Sequence, residues 1–173
     1  MTDLRVGLGY DSHAFDALRL LVLGGVHIPD HPGLRGHSDG DAVAHAVIDA
    51  ILGAANIGDV GSLFPPSDPE WKGADSIDLL RRSTHALHQH GYRVVNVDIA
   101  VVCETPKIAP HAQAMSERLG KALAIPSKRV SVKGKTNERL GWIGEGKGLA
   151  VHAVALIQEA PKLDDTSSEA AGG

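Results

Sequence analysis

Residues 36–56 read GHSDGDAVAHAVIDAILGAAN. Val43, Val47, Ile51 and Ala54 recur at near-helical spacing, which predicts a helix to about Asn56 with that stripe turned to a core. Ser38 or Asp39 can cap its start, since a short polar side chain there accepts a hydrogen bond from a free N–H of the first turn. Asp41, His45 and Asp49 follow at i, i+4 and i+8 and so fall along the opposite face. A polar row that regular needs a reason.

Working outward, residues 4–10 and 20–23 predict two short strands, the second broken by Gly24 and Gly25. The Pro-bounded segment DHPGLRGHSDGD then reads as a loop into the helix. Residues 57–74 contain three prolines among Gly, Ser and Asp and predict a long irregular loop of the functional or lid-like kind. A second helix is expected over 75–90 with Ile77, Leu80, Thr84 and Leu87 inward. A β-branched strand should follow over 94–103, and a third helix over 111–123 with Met115, Leu119 and Leu123 inward. Strands over 129–133 and 148–158 complete a single α/β (α+β) domain within residues 1–160. Residues 161–173, PKLDDTSSEAAGG, read as a disordered tail.

Composition removes several function classes. Aromatic residues make up only 3% of the 173, so the core rests on aliphatic side chains and a stacking platform for nucleic acid is excluded. The formal net charge is -4 with no Lys/Arg run, which removes the electrostatic footprint of a nucleic-acid partner. An anionic substrate would therefore need a bound metal and local donors. The single cysteine, Cys103, forms no intrachain disulfide. No apolar run approaches the roughly 20 residues of a membrane span, and MTDLRVGLGY lacks the pattern of a secretory signal, so a cytoplasmic location is expected. Neither a G-x-S-x-G elbow nor a Walker A sequence is present.

The segment GYDSHAF places Asp11 and His13 two residues apart, on one side of an extended chain. With His45 they make an O,N,N set, and three protein ligands with a fourth position open is the pattern of catalytic zinc. Spacing alone leaves buried, hydrogen-bonded histidines as the alternative. In VKGKTNERLGWIGEGKG, Gly134 permits close backbone approach, Lys135 supplies charge, Thr136 a hydroxyl and Glu138 a hard oxygen ligand for Mg2+ or Mn2+ on a diphosphate. A flexible glycine-rich hairpin is the competing reading. The glycines lead into a strand rather than a helix, which excludes a dinucleotide fingerprint. His85, His88 and His90 read as a solvated helix end, Cys103 as an inert core residue and His111 as a helix start.

Taken together, GYDSHAF, GHSDGDAVAHA, GDVGSLFP, CETPK and VKGKTNERLGW resemble, in order and spacing over residues 4–158, the 2-C-methyl-D-erythritol 2,4-cyclodiphosphate synthases. The resemblance implies conversion of 4-diphosphocytidyl-2-C-methyl-D-erythritol 2-phosphate to the cyclic diphosphate with release of CMP, in the non-mevalonate isoprenoid pathway. It implies a mixed β-sheet covered by helices on one face, in a homotrimer built around a central β core with active sites between subunits. Asp11, His13 and His45 match zinc ligands, and Glu138 matches the residue at a second divalent ion. His37 and Thr136 match positions of transition-state stabilisation, with Ser38 beside them at the substrate. Asp59 and Gly61 match ribose contacts, and Phe64 to Asp68 the mobile loop over the methylerythritol phosphate. Residues 103–109, including Cys103, Pro106, Lys107 and Ala109, match the cytidine and phosphate pocket together with Gly134, Lys135 and Trp142.

Two departures stand out. Relatives carry a basic residue where this chain has Glu145, with the charge of Lys147 exchanged, and an acid at that place repels the isoprenoid diphosphate that relatives can bind on the trimer axis. His152 replaces a residue that is often acidic, and nothing in the sequence explains the change. Two other functions stand beside it: a zinc-dependent phosphoesterase, since the same three-ligand site could activate water, and a non-catalytic trimeric scaffold or nucleotide-binding module.

Overall fold

A computed structural model describes residues 3–36 and 38–160; the expected tail at 161–173 lies outside the described residues. The first strand, β1 (Leu4–Leu23), is one 20-residue strand rather than two short ones. Its first half pairs antiparallel with the last strand from Leu4 to Ala14, and its second half pairs with β2 (Val26–Leu34). Two ladders in succession hold the polar middle of β1 extended, which hydrophobic patterning could not reveal. The same pairing converts DHPGL, read from its proline as a loop, into the end of β2.

The chain continues through α1 (Ala42–Ala55), a short α2 (Val60–Leu63), α3 (Ser76–Gln89), β3 (Tyr92–Val102), α4 (Ala112–Ala122), β4 (Val130–Lys135), one turn α5 (Gly141–Gly144) and β5 (Gly148–Glu159). The predicted irregular loop 57–74 thus contains α2 and a 3-10 turn at Pro69–Trp71. The sheet order is β2-β1-β5-β3-β4, with β3 and β4 parallel and every other pair antiparallel, so the sheet is mixed.

Helix α1 packs on β1 and β5 and is buried on nearly all sides. The stripes expected for α3 and α4 are as predicted: Ile77, Leu80, Thr84 and Leu87, then Met115, Leu119 and Leu123, are all buried. Fully enclosed side chains such as Ile51, Leu80 and Leu119 each contribute about 1.5–3 kcal/mol of burial free energy. The sheet's other face is open. Leu4, Val6, Leu8 and Tyr10 alternate along β1 away from the helices, each at least half exposed, and Val154 of β5 sits opposite Leu8. Among the described residues no helix is long and apolar enough to cross a membrane.

Candidate metal centre

The alternation that turns Leu4, Val6, Leu8 and Tyr10 outward turns Gly7, Gly9, Asp11 and His13 toward the helices. Glycine is required at 7 and 9, because a β-carbon there would fall 2.0 Å from the Ala50 carbonyl oxygen and 1.8 Å from that of Ala46. Backbone therefore lies on backbone, and α1 arrives close enough for His45, one turn inside it, to reach the next residues of the strand.

His13 Nε2 lies 2.9 Å from Asp11 Oδ2, and His45 Nδ1 lies 3.2 Å from the same oxygen. The three donor atoms of Asp11, His13 and His45 all lie within 4.8 Å of one another. A tetrahedral ion with bonds of about 2.0–2.1 Å wants its donors about 3.3 Å apart. The set fits a divalent metal in both spacing and donor chemistry. The other nitrogen of His45, Nε2, meets Ser76 Oγ at 3.0 Å and Ser38 Oγ at 3.1 Å, which fixes the ring with Nδ1 toward Asp11. Ser76 was not visible in the sequence: it comes from the start of α3, and Asp39 holds it by accepting its N–H at 3.0 Å and its hydroxyl hydrogen bond.

The charges agree with this arrangement. Burial raises the Asp11 carboxyl, yet the hydrogen bonds and charges of His13 and His45 outweigh it and hold it well below the usual carboxylate range. Burial disfavours the imidazolium of His45, and Asp11, with Asp41 and Asp39 behind it, reverses that and raises its pKa. A half-buried carboxylate with two imidazoles converging on one oxygen is a site prepared for positive charge.

Asp41 does not belong to an exposed polar row. It is fully buried and is itself the N-cap of α1, in place of Ser38 or Asp39. Its carboxylate accepts N–H groups from Val43 and Ala44 at 3.1 and 3.0 Å, and from Gly24 and Gly25 of the β1–β2 turn at 2.8 and 2.6 Å. Burial, with Asp39 nearby, pushes its pKa up to about 6 against those donors, which favour the carboxylate. One side chain thereby ties the helix start to the sheet. Asp49, the third member of the predicted row, accepts Val60 N–H at 2.8 Å and anchors the start of α2.

The triad opens onto a cavity of about 510 Å3. Of the residues singled out in the sequence, Ser38, Gly61, Phe64 and Asp68 line it. Trp71, Lys72 and Leu79 line it too and carried no sequence signal. Asp59 does not line it and caps α2 instead, where hydrogen bonds from Ser62 hold its carboxyl below the usual range. His37 lies outside the described residues. The other predicted residues, Cys103, Pro106, Lys107, Ala109, Gly134, Lys135, Thr136, Glu138 and Trp142, do not line this cavity. Some of them pair with one another: Cys103 N–H donates to Lys135 O at 2.9 Å, and Thr136 Oγ1 to Glu138 Oε1 at 2.5 Å. Gly134 is needed for packing, since a β-carbon there would fall 2.9 Å from Ile108 Cβ. Glu145 forms an exposed ion pair with Lys147. Among the described residues the histidines at 85, 88 and 90 join no metal-ligating group.

Residues 4–158 match the YgbB family. The chain is 55% identical over 152 residues to the 2-C-methyl-D-erythritol 2,4-cyclodiphosphate synthase of Symbiobacterium thermophilum, covering 88% of this chain and 97% of that protein. It is 49% identical over 157 residues to the protein of the same name from Synechocystis, covering 91% and 98%. Among solved structures it resembles the CDP complex of IspF from Plasmodium falciparum, with a TM-score of 0.79, 36% identity, and 94% and 99% of the two chains covered. It also resembles the bifunctional IspDF of Campylobacter jejuni, with a TM-score of 0.89 and 38% identity, over 93% of this chain and 44% of that longer one.

Proposed function

The chain belongs to the YgbB family, and from that membership we propose that it converts 4-diphosphocytidyl-2-C-methyl-D-erythritol 2-phosphate to 2-C-methyl-D-erythritol 2,4-cyclodiphosphate with release of CMP, as a lyase of isoprenoid biosynthesis. The observation that carries this reading is the convergence of His13 and His45 on one Asp11 oxygen beside a cavity large enough for the methylerythritol phosphate. The CDP-bound relatives support a cytidine nucleotide as the leaving half.

Asp11, His13 and His45 are the residues that would hold zinc, and Glu138 would contact a Mg2+ or Mn2+ ion on the diphosphate. Bound there, the metals would supply charge neutralisation at the phosphoryl oxygens. The chain's own residues position the reactants. An oxygen of the substrate's 2-phosphate, already an anion, forms the new bond to the β-phosphorus. The bond from that phosphorus to the bridging oxygen breaks, and CMP departs with the electron pair. No protein nucleophile is required, so catalysis is alignment plus electrostatics. Ser38 and His37 would contact the phosphate, Phe64 to Asp68 would cover the erythritol chain, and Asp59 and Gly61 would meet the ribose. Lys107, Lys135 and Thr136 would offset charge around the departing CMP, with Cys103, Pro106, Ala109, Gly134 and Trp142 framing the base.

The assembly is part of the proposal: a homotrimer around a central β core, with each site shared by two subunits. Two features support it. The cytidine residues sit away from the metal cavity of their own chain, and β1 and β5 leave an apolar stripe uncovered. A cytoplasmic location completes the reading, supported by the buried free thiol of Cys103. The test is to incubate the purified protein with substrate and Mg2+ or Mn2+ and to follow CMP and the second product, before and after chelation. Cyclic diphosphate with CMP is the expected outcome. An open-chain phosphate would make the protein a phosphoesterase, and CDP binding without turnover would make it a nucleotide-binding module.

A further inference from the structure

Glu104 stands between two exposed segments and joins them through one oxygen. Its Oε1 accepts the backbone N–H of Asn137 at 2.9 Å and that of Arg139 at 3.1 Å. Two N–H groups aimed at one point form a small anion-binding concavity, and here the protein's own carboxylate fills it. The residue between them is Glu138. Glu138 and Arg139 have φ of 51° and 61°, the left-handed region that residues with a side chain avoid, so this turn needs something to hold it.

Glu138 and Arg139 are exposed, and the bonds of Asn137 and Arg139 to Glu104 enclose no core. What the contact does is set where the turn points. Thr136 and Glu138, bonded to each other, belong to that turn, while residues 103–107 flank Glu104 along the chain. We propose that Glu104 is a positioning residue for the reaction: it locks the turn carrying Thr136 and Glu138 to the loop that receives the cytidine, so that base recognition and phosphate alignment are fixed as one body. This rests on the reading of residues 103–109 and 134–138 as the cytidine and phosphate pocket.

The hydrogen-bond acceptor is the essential property, so Glu104→Gln and Glu104→Leu separate the roles. CDP affinity by calorimetry, kcat and KM for CMP release, zinc content and Tm are measured on both and on the wild type. Glu104→Leu is expected to keep its zinc and its Tm within a few degrees, to bind CDP more weakly and to lose about tenfold or more in kcat. Glu104→Gln, which retains an acceptor oxygen, is expected to stay within about threefold of the wild type. Wild-type CDP affinity and kcat in Glu104→Leu would overturn the proposal, and so would a Gln variant as damaged as the Leu one. Should Glu104→Leu fail to fold, Glu104→Ala, which also removes the acceptor, takes its place and is read by the same outcomes. If the wild type releases no CMP while Glu104→Leu still weakens CDP binding, the assigned reaction is wrong and the positioning role stands.

Discussion

Gly9 of β1 lies directly against the backbone of Ala46 in α1, so that a β-carbon at residue 9 would fall 1.8 Å from the Ala46 carbonyl oxygen. Ala46 is next to His45, and Gly9 is two residues before Asp11. The approach that admits no side chain is thus the one that brings Asp11 and His13 of the strand to His45 of the helix.

Gly9→Ala should force strand and helix apart, lowering stability by about 3 kcal/mol and reducing zinc retention. Gly53 is the control: it sits in the same helix with nothing within 4 Å of a built β-carbon, and Gly53→Ala should stabilise by about 0.5–1 kcal/mol. Denaturant midpoints and metal content of the two variants check this. A Gly9→Ala protein with normal stability and zinc would show that the close approach is not what sets the site.

Asp41→Ala removes the acceptor for four backbone N–H groups at once. Loss of the cap and stranding of the Gly24 and Gly25 donors should together cost about 2–4 kcal/mol. Chemical denaturation measures it, and a change under about 0.5 kcal/mol would mean that water replaces the carboxylate.

These two residues also mark how far the sequence could be read. The stripes of α3 and α4 were legible because each helix has one wet face. In α1 nearly every residue is buried, so periodicity assigned Asp41 to a polar row when it is a buried cap. The strand β1 was read as two pieces because its middle is polar and is held extended by β5 and β2, partners distant in sequence. Within the site, Asp11 and His13 were legible from strand alternation. That His45 meets them depends on Gly7 and Gly9, and that Ser76 steadies His45 depends on packing of α3 across 31 residues of chain.

Asp11→Asn keeps the shape of the triad and removes its negative charge, leaving two neutral imidazoles and a weakly donating amide oxygen to hold the ion. Zinc per chain, measured by atomic emission after dialysis, should fall from about one to a small fraction. Chelation of the wild type should abolish CMP release, and added zinc should restore it. Full zinc occupancy in Asp11→Asn would place the ion elsewhere.

Burial, with Glu104 beside it, pushes the Cys103 thiol up to about 11 from an ordinary value of 9. The unfolded chain therefore loses this proton from pH 9 upward while the native protein keeps it until about 11. Over that window the unfolded state binds fewer protons, so stability falls as pH rises, by up to about 2–3 kcal/mol from this group. At pH 8 iodoacetamide should label unfolded protein readily and native protein very slowly. Equal labelling rates in the two states would show that the thiol is open.

Leu8 faces away from the helices and is 67% exposed, with Val154 opposite it on β5. In an isolated subunit a charge there meets water, so Leu8→Asp should alter intrinsic stability by no more than about 0.5 kcal/mol. In a trimer packed through this face the same carboxylate would be buried unpaired at an apolar contact, and its desolvation has no compensation. The variant should therefore scatter light as a monomer where the wild type scatters as a trimer. Because the cytidine half of each site would come from a neighbour, CMP release should fall at least about tenfold with assembly, while zinc stays bound to the intact triad. A monomeric Leu8→Asp with full activity would show that one chain carries a complete site, and the shared-site arrangement would be wrong.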